Sequence, residues 1–87
     1  MIRYEVTNHD EQDRHWRVEP YGDDVDLKPG DTMTVEYIHA TDLVIEVGLF
    51  SGGSSELWVH SDLEHRTQLF PDGLERNGVS VWPEANK

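Results

Sequence analysis

Lys28-Pro29-Gly30-Asp31-Thr32-Met33-Thr34-Val35-Glu36-Tyr37 is the stretch whose reading decides the fold. Pro29 presets φ for the second position of a tight turn and Gly30 accepts positive φ at the third, so the chain reverses here. Met33, Val35 and Tyr37 then alternate with Thr32, Thr34 and Glu36. A period of two sends the large apolar side chains to one face and the polar ones to the other, which is a half-buried strand and not a helix.

The same unit of turn and strand recurs outward in both directions. Toward the N-terminus, Val25 and Leu27 begin a short strand after the turn Tyr21-Gly22-Asp23-Asp24. Before it, Trp16 and Val18 alternate with His15, Arg17 and Glu19 and stop near Pro20, while residues 8–13 form a polar loop. Ile2, Tyr4 and Val6 alternate with Arg3, Glu5 and Thr7. Toward the C-terminus, Leu43, Ile45, Val47 and Leu49 make the most apolar strand. Its other face carries Val44 and Phe50, which predicts a central strand covered on both sides. Ser51-Gly52-Gly53-Ser54-Ser55 reads as a hairpin loop, and Leu57 and Val59 then interleave with Glu56, Trp58 and His60. Residues 61–66 have room for one helical turn, with Ser61 as cap and Glu64 at capping-box spacing. Pro71-Asp72-Gly73 and Asn77-Gly78 are turns, and Val79 and Val81 alternate with Ser80 and Trp82 in a last strand that Pro83 ends. Residues 1–87 are thus expected to form one all-β domain, an antiparallel β-sandwich or partly closed barrel of seven to eight short strands.

Val18-Glu19-Pro20-Tyr21-Gly22, followed by Leu27-Lys28-Pro29-Gly30-Asp31 and Val35, resembles a pattern in short uncharacterised bacterial β-domain proteins. These carry a Glu-Pro-aromatic-Gly segment and then Leu-x-Pro-Gly-acid before an apolar strand. Val79-Ser80-Val81-Trp82-Pro83 resembles a Val-Trp-Pro element of the same proteins, placed late here. The resemblance covers about a fifth of the chain and implies a fold, with no activity attached. Pro-Gly-Asp turns also occur in cupredoxins, but a blue-copper site needs a cysteine ligand. Cupins need paired histidines that this chain lacks.

Composition narrows the function classes. Eighteen acids stand against seven bases, a net charge of -11, which repels nucleic-acid phosphates and anionic membrane surfaces. No cysteine is present, which removes disulfides, thiolate metal sites and cysteine nucleophiles, and favours a reducing compartment. The N-terminus shows no signal-peptide pattern, and no apolar run approaches the roughly 20 residues of a membrane-spanning helix. A cytoplasmic location is expected. The acidity suits either a surface adapted to high salt or one that meets a basic partner.

Candidate sites follow from the residue types. His60, Asp62, Glu64 and His65 lie close in sequence, but no His-x-His pair or His-Glu-x-x-His helix assembles a tetrahedral metal site from them. Asp23-Asp24-Val25-Asp26 offers oxygens for calcium without the spacing of a twelve-residue calcium loop, and reads as an Asp-rich turn. No nucleophile elbow is present, and a chain this short has little room for a substrate-burying cleft, so no enzyme and no cofactor are expected. Trp16 shares a face with Val18 and belongs to the core. Trp58 is out of phase with Leu57 and Val59, and Trp82 with Val79 and Val81, which places both on an outer face if the aliphatic residues point inward. Exposed aromatics anchor interfaces and stack on sugars. The expected function is therefore a small acidic, non-enzymatic interaction domain, inhibitor- or immunity-like, that meets a basic protein through Trp58, Trp82, His60 and Glu56, with Glu84 nearby. The alternatives are a carbohydrate- or metal-binding module and a structural domain of a salt-adapted organism. A homodimer through an exposed edge strand is compatible with all three.

Overall fold

The alternation of Met33, Val35 and Tyr37 is realised as a strand whose inward side chains are removed from water, at 0%, 0% and 2% exposure. The computed structural model describes residues 1–62 and 64–82. Its strands are β1 (Ile2–Thr7), β2 (Arg14–Val18), β3 (Asp23–Leu27), β4 (Thr32–Tyr37), β5 (Val44–Leu49), β6 (Ser54–His60), β7 (Gly73–Arg76) and β8 (Val79–Ser80). Among the described residues the only helical element is a 3-10 turn at Ser51–Gly53. Pro83 and Glu84 lie outside the described residues.

The eight strands divide into two four-stranded sheets, β1-β4-β7-β8 and β3-β2-β6-β5, which do not close into a barrel. Hairpins keep β2–β3, β5–β6 and β7–β8 within one sheet, while the other connections cross between sheets. Pairing is antiparallel with one exception, which corrects the fully antiparallel expectation: β2 and β6 run parallel, with Trp16 opposite Ser55 and Val18 opposite Leu57. Parallel neighbours need a long connection, and here it contains β3, β4 and β5. Both sheets supply one hydrophobic cluster: Val18, Val25, Leu27, Leu57 and Val59 from one, Met33, Val35, Tyr37 and Leu74 from the other. Burying each such side chain contributes about 1.5–3 kcal/mol. Tyr4 stacks on Tyr37 with ring centroids 6.2 Å apart. Burial pushes both phenols up, Tyr37 to about 12.

Three further sequence expectations are corrected. β5 is an edge strand, paired with β6 alone. Ile45, Val47 and Leu49 stand opposite Val59, Leu57 and Ser55 and so share their face, yet they are 45%, 47% and 79% exposed because the other sheet leaves them open. Two apolar faces in a sequence do not show that both are covered. β8 is only two residues long, and Val79 and Val81 face solvent, so they do not define an inward face for Trp82. The turn at residues 64–65, where the Arg66 N–H donates to the Asp62 carbonyl at 3.2 Å, is capped by Asp62 and not by Ser61: Asp62 Oδ1 accepts from the His65 N–H at 2.5 Å.

At the end of the molecule where β3 turns into β4, a polar side chain does core work. Asn8 is 4% exposed. Its Nδ2 donates to the carbonyls of Gln12 and Leu27 at 2.8 Å each, and its Oδ1 accepts from the Asp10 N–H at 2.9 Å. Its own N–H donates to the Asp31 carbonyl, and its carbonyl accepts from Gly30, which sits at φ +89 in the Pro-Gly turn. The loop after β1 is thereby fastened to the turn before β4.

Candidate interaction surface

Because β2 and β6 run parallel, their C-terminal ends lie together. Gly73 pairs with Glu36, so the end of β4 and the start of β7 lie side by side as well. The Val81 N–H donates to the Leu74 carbonyl at 3.0 Å and carries the chain after β8 back toward that end. Four stretches therefore meet there: residues 19–22, residues 38–43, residues 61–62 with 64–72, and residues 81–82. Tyr21 packs against Phe70 with centroids 4.9 Å apart and against Trp82 at 6.0 Å, edge to face at 88°. Tyr21 and Phe70 are 56% and 55% exposed, while Trp82 is half-buried against the core. The Trp82 indole N–H donates to Asp23 Oδ2 at 2.8 Å, which fixes the ring.

Two hollows flank this aromatic group. Tyr21, Asp23 and Trp82 line one. The other lies beyond Phe70 and includes Asp42, Asp62, Asp72 and His39. Among the described residues, no Lys or Arg lines either hollow. The loops that carry them are tied down: the Asp72 N–H donates to the Glu36 carbonyl at 2.8 Å, and Asp72 Oδ2 accepts from the Ile38 N–H at 2.6 Å. The His65 N–H bonded to Asp62 holds that carboxyl below the usual carboxylate range.

The other residues singled out in the sequence lie on the outer face of the β3-β2-β6-β5 sheet. Glu56, Trp58 and His60 alternate along β6 and point to the same side. Trp58 is half-buried and its indole N–H donates to Glu56 Oε2 at 3.0 Å. His60 is 7% exposed and its Nε2 contacts Glu46 Oε1 at 3.1 Å, which leaves the buried Nδ1 without a partner among the described residues. Arg66 also reaches Glu46, at 3.5 Å. The structure thus gathers three of the four expected residues and places Trp82 in the aromatic cluster. Tyr21 and Phe70 escaped the sequence reading. The available signal was a large aromatic set inside a turn, in Pro20-Tyr21-Gly22 and beside Pro71.

Across the same sheet, His15 Nδ1 lies 2.6 Å from Asp26 Oδ1 and its Nε2 lies 3.1 Å from Asp24 Oδ1. Only the imidazolium can donate to both. Asp26 first, and then Asp24, raise the His15 pKa above the ordinary histidine value. Arg17 and then His15 lower that of Asp24. The raised folded value makes this contribution to stability complete below the unfolded histidine pKa of about 6.5 and lost as pH rises through the folded one. Exposure of the trio keeps the contribution small. In an NMR titration His15 is expected to change protonation at higher pH than an unperturbed histidine, and Asp26→Asn to lower that midpoint more than Asp24→Asn. An equal response to the two substitutions would contradict the geometry.

Among the described residues, no three histidine or carboxylate side chains converge as metal ligands, and no helix is long and apolar enough to cross a membrane. Comparison with protein-family models, curated proteins and solved structures gave no match to this chain.

Proposed function

We propose that this chain is a β-sandwich interaction domain that binds a basic protein partner through the aromatic and acidic end described above. The observation that carries the reading is the contiguity of exposed Tyr21 and Phe70 with Trp82, flanked by Asp23, Asp42, Asp62 and Asp72, with no Lys or Arg lining the hollows among the described residues. Ring faces carry negative quadrupoles and the carboxylates are anionic, so the rings and the Asp side chains at this end favour a cation of the Lys or Arg kind. The net charge of -11 adds long-range attraction for the same partner. Trp58, Glu56 and His60 lie apart from the aromatic end, on the outer face of the β3-β2-β6-β5 sheet. The role is non-enzymatic, of the inhibitor or immunity kind, in a reducing compartment such as the cytoplasm.

A carbohydrate site would use the same rings, but Tyr21 and Trp82 meet at 88° and form a corner where a sugar prefers an open plane. Salt adaptation accounts for the acids and leaves the aromatic cluster without a role.

The test is a two-dimensional NMR titration with an arginine-rich peptide, a matched acidic peptide and an oligosaccharide series. The arginine-rich peptide is expected to shift the Trp82 indole resonance and the amides of residues 21–23 and 70–72, while Trp16, which lies outside that cluster, stays unmoved. Tyr21→Ala is expected to weaken that binding about tenfold, the size of an interface anchor, with thermal unfolding unchanged. Shifts spread evenly over the acidic surface, or a response to the oligosaccharides alone, would sink the proposal.

A further inference from the structure

We infer that β5 is a self-pairing edge, through which two copies of this chain join their β3-β2-β6-β5 sheets into one. Edge strands in proteins that stay monomeric are blunted by Lys, Pro, bulges or inward charges. β5 (Val-Ile-Glu-Val-Gly-Leu) has none of these on its inward row, where Ile45, Val47 and Leu49 lie open. Its single charge, Glu46, is on the outer row and already contacts His60 and Arg66.

The backbone sets which registers are open to a second copy. The Phe50 N–H donates to the Ser54 carbonyl, so Phe50 and Ser54 are a hydrogen-bonded pair of the β5–β6 ladder. Such pairs alternate along an antiparallel ladder. Val44, Glu46 and Gly48 therefore turn their backbone groups toward β6, and Ile45, Val47 and Leu49 turn theirs outward. A second β5 can bond only by pairing its odd-numbered residues with these. Centring the twofold axis on Val47 pairs Ile45 with Leu49 of the second copy and Val47 with its own counterpart, for about six main-chain hydrogen bonds. All inward pairs are then apolar, and Glu46 faces Gly48. Moving the axis to Glu46 would set two glutamates face to face, which is destabilising. The strand is self-complementary in the one register that overlaps it fully and keeps like charges apart. The surface is distinct from the aromatic end, so the two proposals stand or fall separately.

Each copy carries a net charge of -11, and salt screens their mutual repulsion. Analytical ultracentrifugation is expected to show a dimer fraction that grows with concentration and between about 0.05 M and about 0.5 M salt, and its loss in Val47→Asp. The chain has no cysteine, so single substitutions report the register cleanly. Across the twofold axis, Val47 positions lie about 5.5 Å apart, within the span of a disulfide. Ile45 positions lie about 13 Å apart, four residues of offset. Val47→Cys is therefore expected to form a disulfide-linked dimer under mild oxidation, and Ile45→Cys to stay monomeric, both with wild-type thermal unfolding. Equal cross-linking of the two, or a wild-type monomer at every concentration and salt, would overturn the inference.

Discussion

Leu57→Ala is expected to remove about 2–5 kcal/mol of stability, the cost of deleting buried methyl groups and leaving a cavity behind. Leu57 is 1% exposed on β6, the strand that carries both the parallel pairing with β2 and the antiparallel pairing with β5. Its cross-strand neighbours are Val18 on one side and Val47 on the other. Val18 is buried and cannot move in without opening its own contacts, whereas Val47 stands at an open edge and gives way more easily. Relaxation from that side places the cost within the range and below its upper limit. For 87 residues at typical stability the whole margin is about 4–13 kcal/mol, so the substitution removes a large share of it. Urea denaturation measures it: the midpoint falls while the slope stays constant if the native state keeps its compactness. A loss below about 1 kcal/mol would mean that the two sheets do not pack at Leu57 as described.

Asn8→Ala is expected to cost about 2–4 kcal/mol, which is large for a residue in a loop. The substitution deletes three side-chain hydrogen bonds, those to the carbonyls of Gln12 and Leu27 and the one from the Asp10 N–H, the Leu27 bond being buried. A hydrogen bond contributes about 0.5–1.5 kcal/mol net, but an unpaired buried polar group costs about 1–3 kcal/mol. Asn8→Asp is the sharper test. It keeps the side-chain outline and replaces the amide donor with a carboxylate oxygen that faces two carbonyls at 4% exposure. A buried charge without a donor is worse than a gap, so at neutral pH the aspartate variant is expected to be the less stable of the two. Urea midpoints compare them, and hydrogen exchange at Gly30, whose N–H bonds the Asn8 carbonyl, reports whether the junction has opened. An aspartate variant as stable as the wild type would show that the amide nitrogen does not bridge the two loops.

These two residues differ in how visible they were beforehand. Leu57 announced itself, because alternation with Glu56 and Trp58 marks it as inward whatever its neighbours are. Asn8 sat in a polar run from residue 8 to 13 and looked like any loop residue. Its burial comes from the turn at Lys28-Pro29-Gly30-Asp31, brought against it from far along the chain. The candidate surface divides in the same way. Glu56, Trp58 and His60 lie on one face because they alternate along one strand, and a period of two is a local property. Tyr21, Phe70 and Trp82 come from three separate segments, and no pattern within any one of them reports the other two.

The stretch from Lys28 to Tyr37 behaves as read: Gly30 takes positive φ, and Met33, Val35 and Tyr37 are buried. Which residues share a face and where turns fall follow from short-range geometry, so they are written in the chain itself. Strand neighbours are not. β2 and β6 pair in parallel across the length of three intervening strands, and that choice places β5 at an edge and gathers the aromatic end. It depends on how two sheets cover each other's apolar rows, an energy summed over the whole molecule that no single window of residues contains.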